Sequence, residues 1–220
     1  MSNYYYSFIH LLFIGLLALF PVVNPIGSAL MVNHYFANLA KPEKRRVVRK
    51  IVLYAFSLCT ITLLAGHWIL ELFGITIPVI QLAGGITICK TGWEFLSGKP
   101  SDNNGNSTYK PISRDELQEQ LFFPITFPIT TGAGTMAVLF TLGAHSANEN
   151  VTNYFLNTMA LMLSIIVMCA LVYFLYLNTQ TLLRYAGSNG EKIINRIIAF
   201  LTFCVGLQIA VTGIKALAKM

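Results

Sequence analysis

Long apolar stretches alternate with short polar segments along the whole chain, and this pattern predicts a helical membrane protein. A helix needs about 20 predominantly apolar residues to cross a bilayer. Six stretches of the chain reach that length. We therefore predict an all-α membrane protein with six transmembrane helices, in residues 6–36, 47–72, 77–96, 121–145, 151–177 and 193–217.

The longest polar segment, residues 99–119, divides the chain into two parts with three spans each. We expect a first repeat in residues 1–98, then a polar cytoplasmic loop, then a second repeat in residues 120–220. The loop contains Ser113-Arg114-Asp115-Glu116, which is similar to a capping box, a side-chain pattern that starts helices. A helix should therefore lead from this loop into the fourth span.

A phrase with two prolines occurs once in each half, inside spans 1 and 4. The first copy is Phe20-Pro21-Val22-Val23-Asn24-Pro25, and the second is Phe123-Pro124-Ile125-Thr126-Phe127-Pro128. Proline within a helix removes a backbone donor and clashes with the preceding turn. Helices 1 and 4 should therefore be broken at mid-membrane, although two kinks that serve packing alone would leave the same pattern.

The two phrases align with each other, which indicates an internal duplication. Near the ends of the halves, Thr87 and Cys89 of span 3 correspond to Thr202 and Cys204 of span 6. Each half has an odd number of spans, so the second half must lie inverted relative to the first. Inverted repeats with interrupted helices at corresponding positions are typical of secondary transporters, which bind their solute near the membrane midplane.

Composition and charge agree with a membrane protein that crosses the bilayer several times. Only 11% of the residues are charged and 55% are hydrophobic, whereas soluble domains carry about 25% charged residues. Twelve of the 15 lysines and arginines fall in or beside the connections after spans 1, 3 and 5, which predicts that these connections are cytoplasmic. Both termini should then lie outside the cytoplasm. This topology explains the net charge of +6 without a nucleic-acid partner.

The first break predicts one half of a binding site. Asn24 is a good N-cap residue and Pro25 suits the first helical position, so a second half-helix should begin near residue 25. Gly27 lets the backbone approach a ligand, and Ser28 adds a hydroxyl group. The free N–H groups and the dipole of such a helix start favour an anion.

The second break predicts the other half of the site. Thr130 or Thr131 can cap a half-helix that starts near Gly132. Gly132 and Gly134 leave little side-chain volume, and Thr135 adds another hydroxyl group. Because the repeat is inverted, the two half-helices should enter from opposite sides, with both N-termini directed at the midplane.

A small zwitterion fits this set of groups. The helices that precede the breaks should end near Phe20 and Phe123 and expose carbonyl groups, which favour an ammonium group or a cation. The half-helix starts would hold the carboxylate. The predicted substrate-binding residues are Asn24, Pro25, Gly27, Ser28, Thr130, Thr131, Gly132, Gly134 and Thr135.

Four other polar residues in the spans are candidates for gating or coupling. Lys90 and Glu94 are spaced to share one helix face, where they form either a surface ion pair or part of a gate. His67 is either a proton relay or a packed polar residue near the end of span 2. Gln81 is expected to hydrogen-bond a neighbouring helix or to contact the solute.

Neither catalytic motifs nor nucleotide-binding motifs occur in the chain. It lacks the H-E-x-x-H, G-x-S-x-G and P-loop patterns, so we expect no enzyme and no ATP-driven transport by this chain alone. The four cysteines lie in apolar stretches without metal-ligand spacing and are expected to be small buried residues. We expect no cofactor and no metal, with H⁺ or Na⁺ as the candidate coupling ion. The expected partners are a small solute and the lipid bilayer; a homo-oligomer stays open.

Three segments resemble the signature segments of the MarC family of integral membrane proteins. They are Asn24-Pro25-Ile26-Gly27 in span 1, Leu82-Ala83-Gly84-Gly85-Ile86 in span 3, and Pro128-Ile129-Thr130-Thr131-Gly132-Ala133-Gly134 in span 4. The resemblance covers essentially the whole chain and implies a bacterial inner (plasma) membrane location and two inverted three-helix repeats. The chain departs from the pattern at Ala133, where many relatives have proline.

The resemblance also implies a function. Archaeal members of the family are described as transporters of small neutral amino acids such as glycine and alanine, and the family is grouped with the lysine-exporter superfamily. Together with the paired breaks, this predicts a secondary transporter of a small zwitterionic solute that works by alternating access. A channel or facilitator for small solutes, and a membrane scaffold or sensor that does not transport, are the alternatives.

Overall fold

The structure, a computed structural model, describes residues 2–36, 39–97, 114–147 and 151–218, and the described residues are almost entirely helical and contain no strand. The predicted loop in residues 99–119 lies outside the described residues as far as residue 113, and so does the predicted capping residue Ser113. The described helices are α1 (Ser2–Val23), α2 (Pro25–Phe36), α3 (Lys41–Leu72), α4 (Ile77–Ser97), α5 (Arg114–Gln120), the π-helix π1 (Leu121–Thr130), α6 (Ala133–Ala147), α7 (Val151–Leu177) and α8 (Thr179–Leu217).

The all-helical class is confirmed, and four to five of the described helices could span a membrane, whereas six spans were predicted. The four are Phe8–Asn33, which runs through both α1 and α2, Lys41–Gly66, Tyr154–Leu177 and Arg196–Leu217. The fifth is a bent pair, Leu117–Thr130 with Ala133–Gly143, whose axes differ by 61°. The predicted third span coincides with α4, which has a suitable length of 21 residues but is not apolar enough to count.

Two helices are longer than the predicted spans. Helix α3 begins at Lys41, within the basic segment that was expected to connect spans 1 and 2. Helix α8 begins at Thr179, directly after α7, so the expected connection in residues 178–192 is helical. Polar residues in these segments continue the helix beyond its apolar part, because helix formation requires backbone hydrogen bonds rather than apolar side chains.

One end of the molecule carries basic side chains from the start of α3. The Lys44 Nζ donates to Thr179 Oγ1 at 2.8 Å, and the Lys50 Nζ donates to Gln118 Oε1 at 2.9 Å. These bonds hold the start of α3 next to the start of α8 and next to α5. The connections after spans 1, 3 and 5, which were predicted to lie on the same side of the membrane, therefore lie together. We call this region, defined by Lys44, Lys50, Gln118 and Thr179, the basic end.

The two halves of the chain pack on each other more than on themselves. Among the described residues, α1 packs on α7, α3 packs on α7, π1 and α6, and α4 packs on α6 and α8. The main contact within the first half is that between α1 and its continuation α2. The buried core lies between α1, α2, α3, π1 and α7, and its largest fully buried side chains include Leu19, Ile51, Leu121, Ile125, Leu161 and Tyr176.

Helices α4 and α8 lie antiparallel and very close together, because glycines line their contact. A Cβ atom added at Gly85 would lie 2.5 Å from the Ala210 nitrogen. One added at Gly206 would lie 2.6 Å from the Cys89 nitrogen. Small residues let backbones approach in this way, which is how membrane helices gain packing contacts.

Candidate functional site

The first break in the chain is a single residue, Asn24, between α1 and α2. Its φ of 45° lies in the left-handed region, which asparagine tolerates better than most residues. Its side-chain Oδ1 accepts from the Gly27 N–H at 3.0 Å, and its carbonyl accepts from the Ser28 N–H at 2.8 Å. The predicted half-helix therefore starts at Pro25, with Asn24 as its N-cap.

One carbonyl group before this break takes its hydrogen bond from another helix. The Phe20 carbonyl accepts from the Asn24 N–H at 2.9 Å, and because a carbonyl oxygen has two lone pairs, its predicted contact with a cation stays a prediction. The Pro21 carbonyl would normally accept from residue 25, but Pro25 has no N–H. The hydroxyl of Thr202 in α8 supplies the missing donor at 2.9 Å. Thr202 was aligned with Thr87 from the sequence, but this contact was missed.

The second break begins near Phe123, as predicted, and α6 starts at Ala133, one residue after the predicted Gly132. Phe123 and Phe127 have extended, non-helical backbone angles, as residues before proline often do, so π1 consists of helical pieces that meet across a kink. Threonine hydroxyls stabilise this irregular segment: Thr126 Oγ1 donates to the Leu121 carbonyl, and Thr130 Oγ1 to the Ile125 carbonyl, both at 2.7 Å. Each bond reaches five residues back, as in a π-helix.

The start of α6 has backbone amides without helical acceptors. The Met136 N–H makes the bond closest to this end, to the Gly132 carbonyl at 3.3 Å, so the amides of residues 133–135 precede the first turn. The predicted cap by Thr130 is wrong, because that hydroxyl points back to Ile125. The Thr135 hydroxyl is fully buried and has no hydrogen-bond partner.

The two half-helices run in opposite directions from breaks that lie side by side. Helix α2 runs toward the basic end, where the Lys44 Nζ lies 5.4 Å from the centre of the Phe36 ring. π1 starts at the basic end, beside Gln118, so α6 continues away from it. A Cβ atom added at Gly134 would lie 3.0 Å from Val22 Cγ1, which places the start of α6 against the end of α1.

A small cavity lies where the breaks meet. Its volume is about 20 Å³, enough for roughly one water molecule. Thr130 and Thr131 are its only hydroxyl-bearing residues among the described lining, and the rest are apolar or sulfur-containing. The lining residues are Leu19, Val23, Val52, Ala55, Cys59, Thr130, Thr131, Ile165, Met168, Cys169 and Val172.

Tyr176 of α7 joins the two breaks, and the sequence reasoning did not select it. Its hydroxyl lies 2.8 Å from Thr130 Oγ1, and its side chain is fully buried. Ser28 in the first turn of α2 lies close enough to interact with the same hydroxyl. The Ser28 hydroxyl is nevertheless buried without a hydrogen bond of acceptable geometry. The sequence offered only a weak signal, because α7 contains three tyrosines; the structure identifies Tyr176 as the fully buried one, and a buried phenol usually has a partner.

The three predicted site glycines have different surroundings. A Cβ atom at Gly27 would collide with the Asn24 side chain, so this glycine protects the cap. One at Gly134 would collide with Ile88 of α4, so this glycine serves helix packing. At Gly132 the nearest atom would be the Pro128 carbonyl oxygen at 3.2 Å, and this position has more free space than the other two.

The residues predicted for gating or coupling lie away from the cavity lining. Gln81 is buried beside Gly213 in the contact between α4 and α8. Lys90 and Glu94 form an ion pair at 3.9 Å along one face of α4, and the Lys90 side chain is 76% exposed. His67 belongs to α3, but its side chain lies outside the part of the chain that is described.

Comparison with known proteins shows that this chain is similar to proteins named as inner-membrane proteins. Residues 9–218 match the model of a family described as MarC family integral membrane protein. The chain is 24% identical over 211 residues to UPF0056 inner membrane protein MarC of Escherichia coli strain K12. The aligned residues make up 94% of this chain and 95% of the relative. It shows the same identity and coverage with the protein of that name from Shigella flexneri. No solved structure matches.

Proposed function

Because the chain belongs to the MarC family of integral membrane proteins, we propose that it is a secondary transporter of a small zwitterionic solute. Small neutral amino acids of the glycine and alanine type are the proposed substrates. The observation that carries this proposal is the pair of half-helices, α2 and α6, that start at adjacent breaks and run in opposite directions. In secondary transporters, half-helix N-termini of this kind bind the anionic group of a substrate.

The contacts between helices support an inverted repeat with six spans, α4 included. If a two-fold axis exchanges the halves, α1 and α2 correspond to π1 and α6, α3 corresponds to α7, and α4 corresponds to α8. The α1–α7 contact then corresponds to the contact of α3 with π1 and α6, and the structure contains both. The α4–α6 contact corresponds to the contact of α8 with α1 and α2, which the structure also contains. The aligned cysteines Cys89 and Cys204 should lie on such an axis, and they do lie close to each other between α4 and α8.

The start of α6 is the proposed place for the carboxylate. Its first amides have no helical acceptor, whereas Asn24 already binds the Gly27 and Ser28 amides at the start of α2. The buried hydroxyl of Thr135 lies in the same first turn and lacks a partner. Buried polar groups are rarely left without hydrogen bonds, so a ligand or a water molecule is expected here.

The proposed contact for the amino group differs from the one first expected. The ammonium would bind hydroxyl oxygens. Ser28 is the proposed contact, because its hydroxyl is buried and has no hydrogen-bond partner among the described residues.

The size of the cavity supports alternating access. A space of about 20 Å³ is too small for an amino acid, so the structure corresponds to a closed form that must open to admit solute. We propose that one repeat rocks against the other, driven by a gradient of H⁺ or Na⁺. We propose no catalytic activity and no cofactor for this chain.

The proposed location is the bacterial inner membrane, as in the named relatives. The basic end would face the cytoplasm, because lysine and arginine are enriched in cytoplasmic connections. Both termini would then lie on the other side. A cysteine placed at exposed Lys41 and treated with a membrane-impermeant thiol reagent on intact cells tests this orientation: protection supports it, and labelling contradicts it.

Counterflow in proteoliposomes is the direct test of transport. Vesicles preloaded with unlabelled glycine or alanine should take up labelled solute faster than empty ones, because a carrier returns to the outside more quickly when loaded. A channel would show no such stimulation. A thermal-shift screen with small amino acids gives a second measurement, with an increase in Tm of about 5–10 °C at a concentration about 100 times the Kd. The substrate proposal fails if neither assay responds to glycine, alanine, serine or threonine.

A further inference from the structure

The hydrogen bonds around Tyr176 have a fixed direction. Thr130 has one hydroxyl proton, and its oxygen lies 2.7 Å from the Ile125 carbonyl oxygen, which can only accept. Thr130 therefore donates to Ile125, and the Tyr176 hydroxyl must donate to Thr130 at 2.8 Å. The oxygen of Tyr176 keeps its lone pairs for another donor, and Ser28 is the group beside it.

Tyr176 lies between the cavity and the basic end. The cavity is lined along α7 by Ile165, Met168 and Val172, and Tyr176 follows four residues later, about 6 Å along the helix. Thr179, which binds Lys44 at the basic end, follows three residues after Tyr176. The Tyr176 ring also packs on the Phe36 ring, with 6.1 Å between their centres. Tyr176 therefore lies one turn beyond the cavity lining, toward the basic end.

We propose that Tyr176 is the gate residue of the solute site, and that its hydrogen bond to Thr130 holds the site closed toward the basic end. The bond links α7 to the end of π1, and Ser28 brings the start of α2 to the same point. Both α7 and π1 belong to the second half of the chain, so opening toward the basic end includes a separation of α7 from π1 within that half, in addition to the rocking of the two repeats, and this separation breaks the bond. The inference rests on the proposed transport function, since only a site that opens needs a gate.

A solute can replace the bond that opening breaks. When Tyr176 moves away, the Thr130 oxygen loses its donor and the Ser28 hydroxyl remains without a partner. An ammonium group with three N–H donors can satisfy both oxygens at once. Solute binding and gate opening are therefore coupled through the same two hydroxyl groups, and an apolar solute would not support opening.

The chain contains its own reporters of gate opening. Cys59 of α3 and Cys169 of α7 line the cavity, whereas Cys89 and Cys204 lie at the contact between α4 and α8. Methanethiosulfonate reagents react with thiolates, which form readily only when a thiol contacts water. The rate at which Cys59 and Cys169 are modified therefore measures how often the cavity opens, and it requires no knowledge of the solute.

The test compares Tyr176→Phe with Tyr173→Phe in membrane vesicles. The first change removes the gate hydroxyl and keeps the ring; the second removes the same group one turn away, where Tyr173 accepts a surface bond from Arg45. We expect Tyr176→Phe to speed modification of Cys59 and Cys169 by about three- to tenfold, the factor that a neutral hydrogen bond supports. Tyr173→Phe should match the wild type.

The side of access separates a gate from a loss of stability. An impermeant reagent should modify the cavity cysteines of Tyr176→Phe only from the basic end, whose side is identified by the Lys41→Cys variant. Thr130→Val should have the same effect, Thr130→Ser should match the wild type, and Thr130→Val combined with Tyr176→Phe should add nothing further. These measurements of cysteine modification do not depend on transport. They can therefore fail while the counterflow assay succeeds, and they can succeed while the counterflow assay fails.

Two outcomes would contradict the proposal that Tyr176 is the gate residue. One is an unchanged rate of modification in Tyr176→Phe when the variant is folded by size-exclusion chromatography. The other is faster modification of all four cysteines, or of the cavity cysteines from the opposite side, because either pattern indicates general loosening of the structure. Mass spectrometry of the individual peptides distinguishes the four thiols.

Discussion

The hydroxyl of Thr202 donates to the carbonyl of Pro21 at 2.9 Å, across 181 residues of sequence. Pro25 cannot provide the usual helical donor to that carbonyl, so a residue from the last helix of the second half completes a helix of the first. Thr202 is buried, and its single hydroxyl proton is shared between the Pro21 carbonyl and the Ile198 carbonyl of its own helix, whose oxygen lies 2.8 Å away.

Thr202→Val should destabilise the protein, because it leaves the buried Pro21 carbonyl without a donor. We expect a loss of about 1–3 kcal/mol in the free energy of unfolding, measured by thermal unfolding in detergent. Thr87→Val is the matched control, because Thr87 occupies the aligned position and bonds only to Ala83 within its own helix, on an exposed face. Equal losses in the two variants would show that the Pro21 bond contributes nothing.

Asn24 should tolerate glycine better than alanine. Alanine loses the cap and also strains the left-handed backbone, whereas glycine accepts the φ of 45° and loses only the side-chain bond to Gly27. We expect Asn24→Ala to cost about 1–2 kcal/mol and Asn24→Gly a few tenths. The measurement is the melting temperature of each variant, which should be higher for Asn24→Gly than for Asn24→Ala. If alanine is the milder change, the left-handed conformation at Asn24 is not under strain.

Gly85→Ala should disrupt the contact between α4 and α8. The added methyl group would lie 2.5 Å from a backbone nitrogen of α8, and a backbone atom cannot move aside as the end of a side chain can. Gly143→Ala is the control, because its methyl group would lie 3.4 Å from the Leu63 Cδ1, an ordinary contact. We expect Gly85→Ala to lose folded protein on size-exclusion chromatography and Gly143→Ala to retain it.

Gly132 and Gly134 should respond differently to alanine. At Gly134 the methyl group would push into Ile88, so Gly134→Ala should lower the melting temperature. At Gly132 the one close atom is the Pro128 carbonyl oxygen at 3.2 Å, so Gly132→Ala should lower the melting temperature less than Gly134→Ala does. If α6 binds the carboxylate, Gly132→Ala should still weaken the thermal shift caused by the solute. An unaltered shift with Gly132→Ala would move the solute away from the start of α6.

The first break could be predicted to the residue because its causes are local. A cap residue, a proline at the first helical position and a glycine three residues after the cap all lie within Asn24-Pro25-Ile26-Gly27. The structure puts the break at Asn24 and the start of α2 at Pro25. Local chemistry of this kind needs no knowledge of the rest of the fold.

Both ends of the second break agree with the prediction, since the backbone is non-helical at Phe123 and α6 starts at Ala133. The sequence did not predict the segment between them, in which the Thr126 and Thr130 hydroxyls donate to carbonyl groups five residues back. Thr130 is in turn held by Tyr176, which lies 46 residues away in sequence. Contacts across that distance depend on how the helices pack, so the sequence pattern could not reveal them.

The third span shows the limit of hydropathy in counting spans. Polar and small residues in α4, among them Gln81, Lys90 and the glycines, lower its apolar content below that of the other spans. The same residues have clear places in the fold, since Gly85 and Gly92 form the contact with α8 and Lys90 pairs with Glu94 at the surface. Small residues that bring two helix backbones together lower the mean hydropathy of a helix while they increase its packing.

The helices of the first half make most of their contacts with helices of the second half, and this has a consequence for biogenesis. When the ribosome has made residues 1–98, helices α1, α3 and α4 are present, but their main partners α6, α7 and α8 are not. These three helices must therefore remain in the membrane with their glycine and hydroxyl faces uncovered until the second half is inserted. A chain that stops before α7 would keep those faces open to quality-control proteases, so the two halves can mature only together.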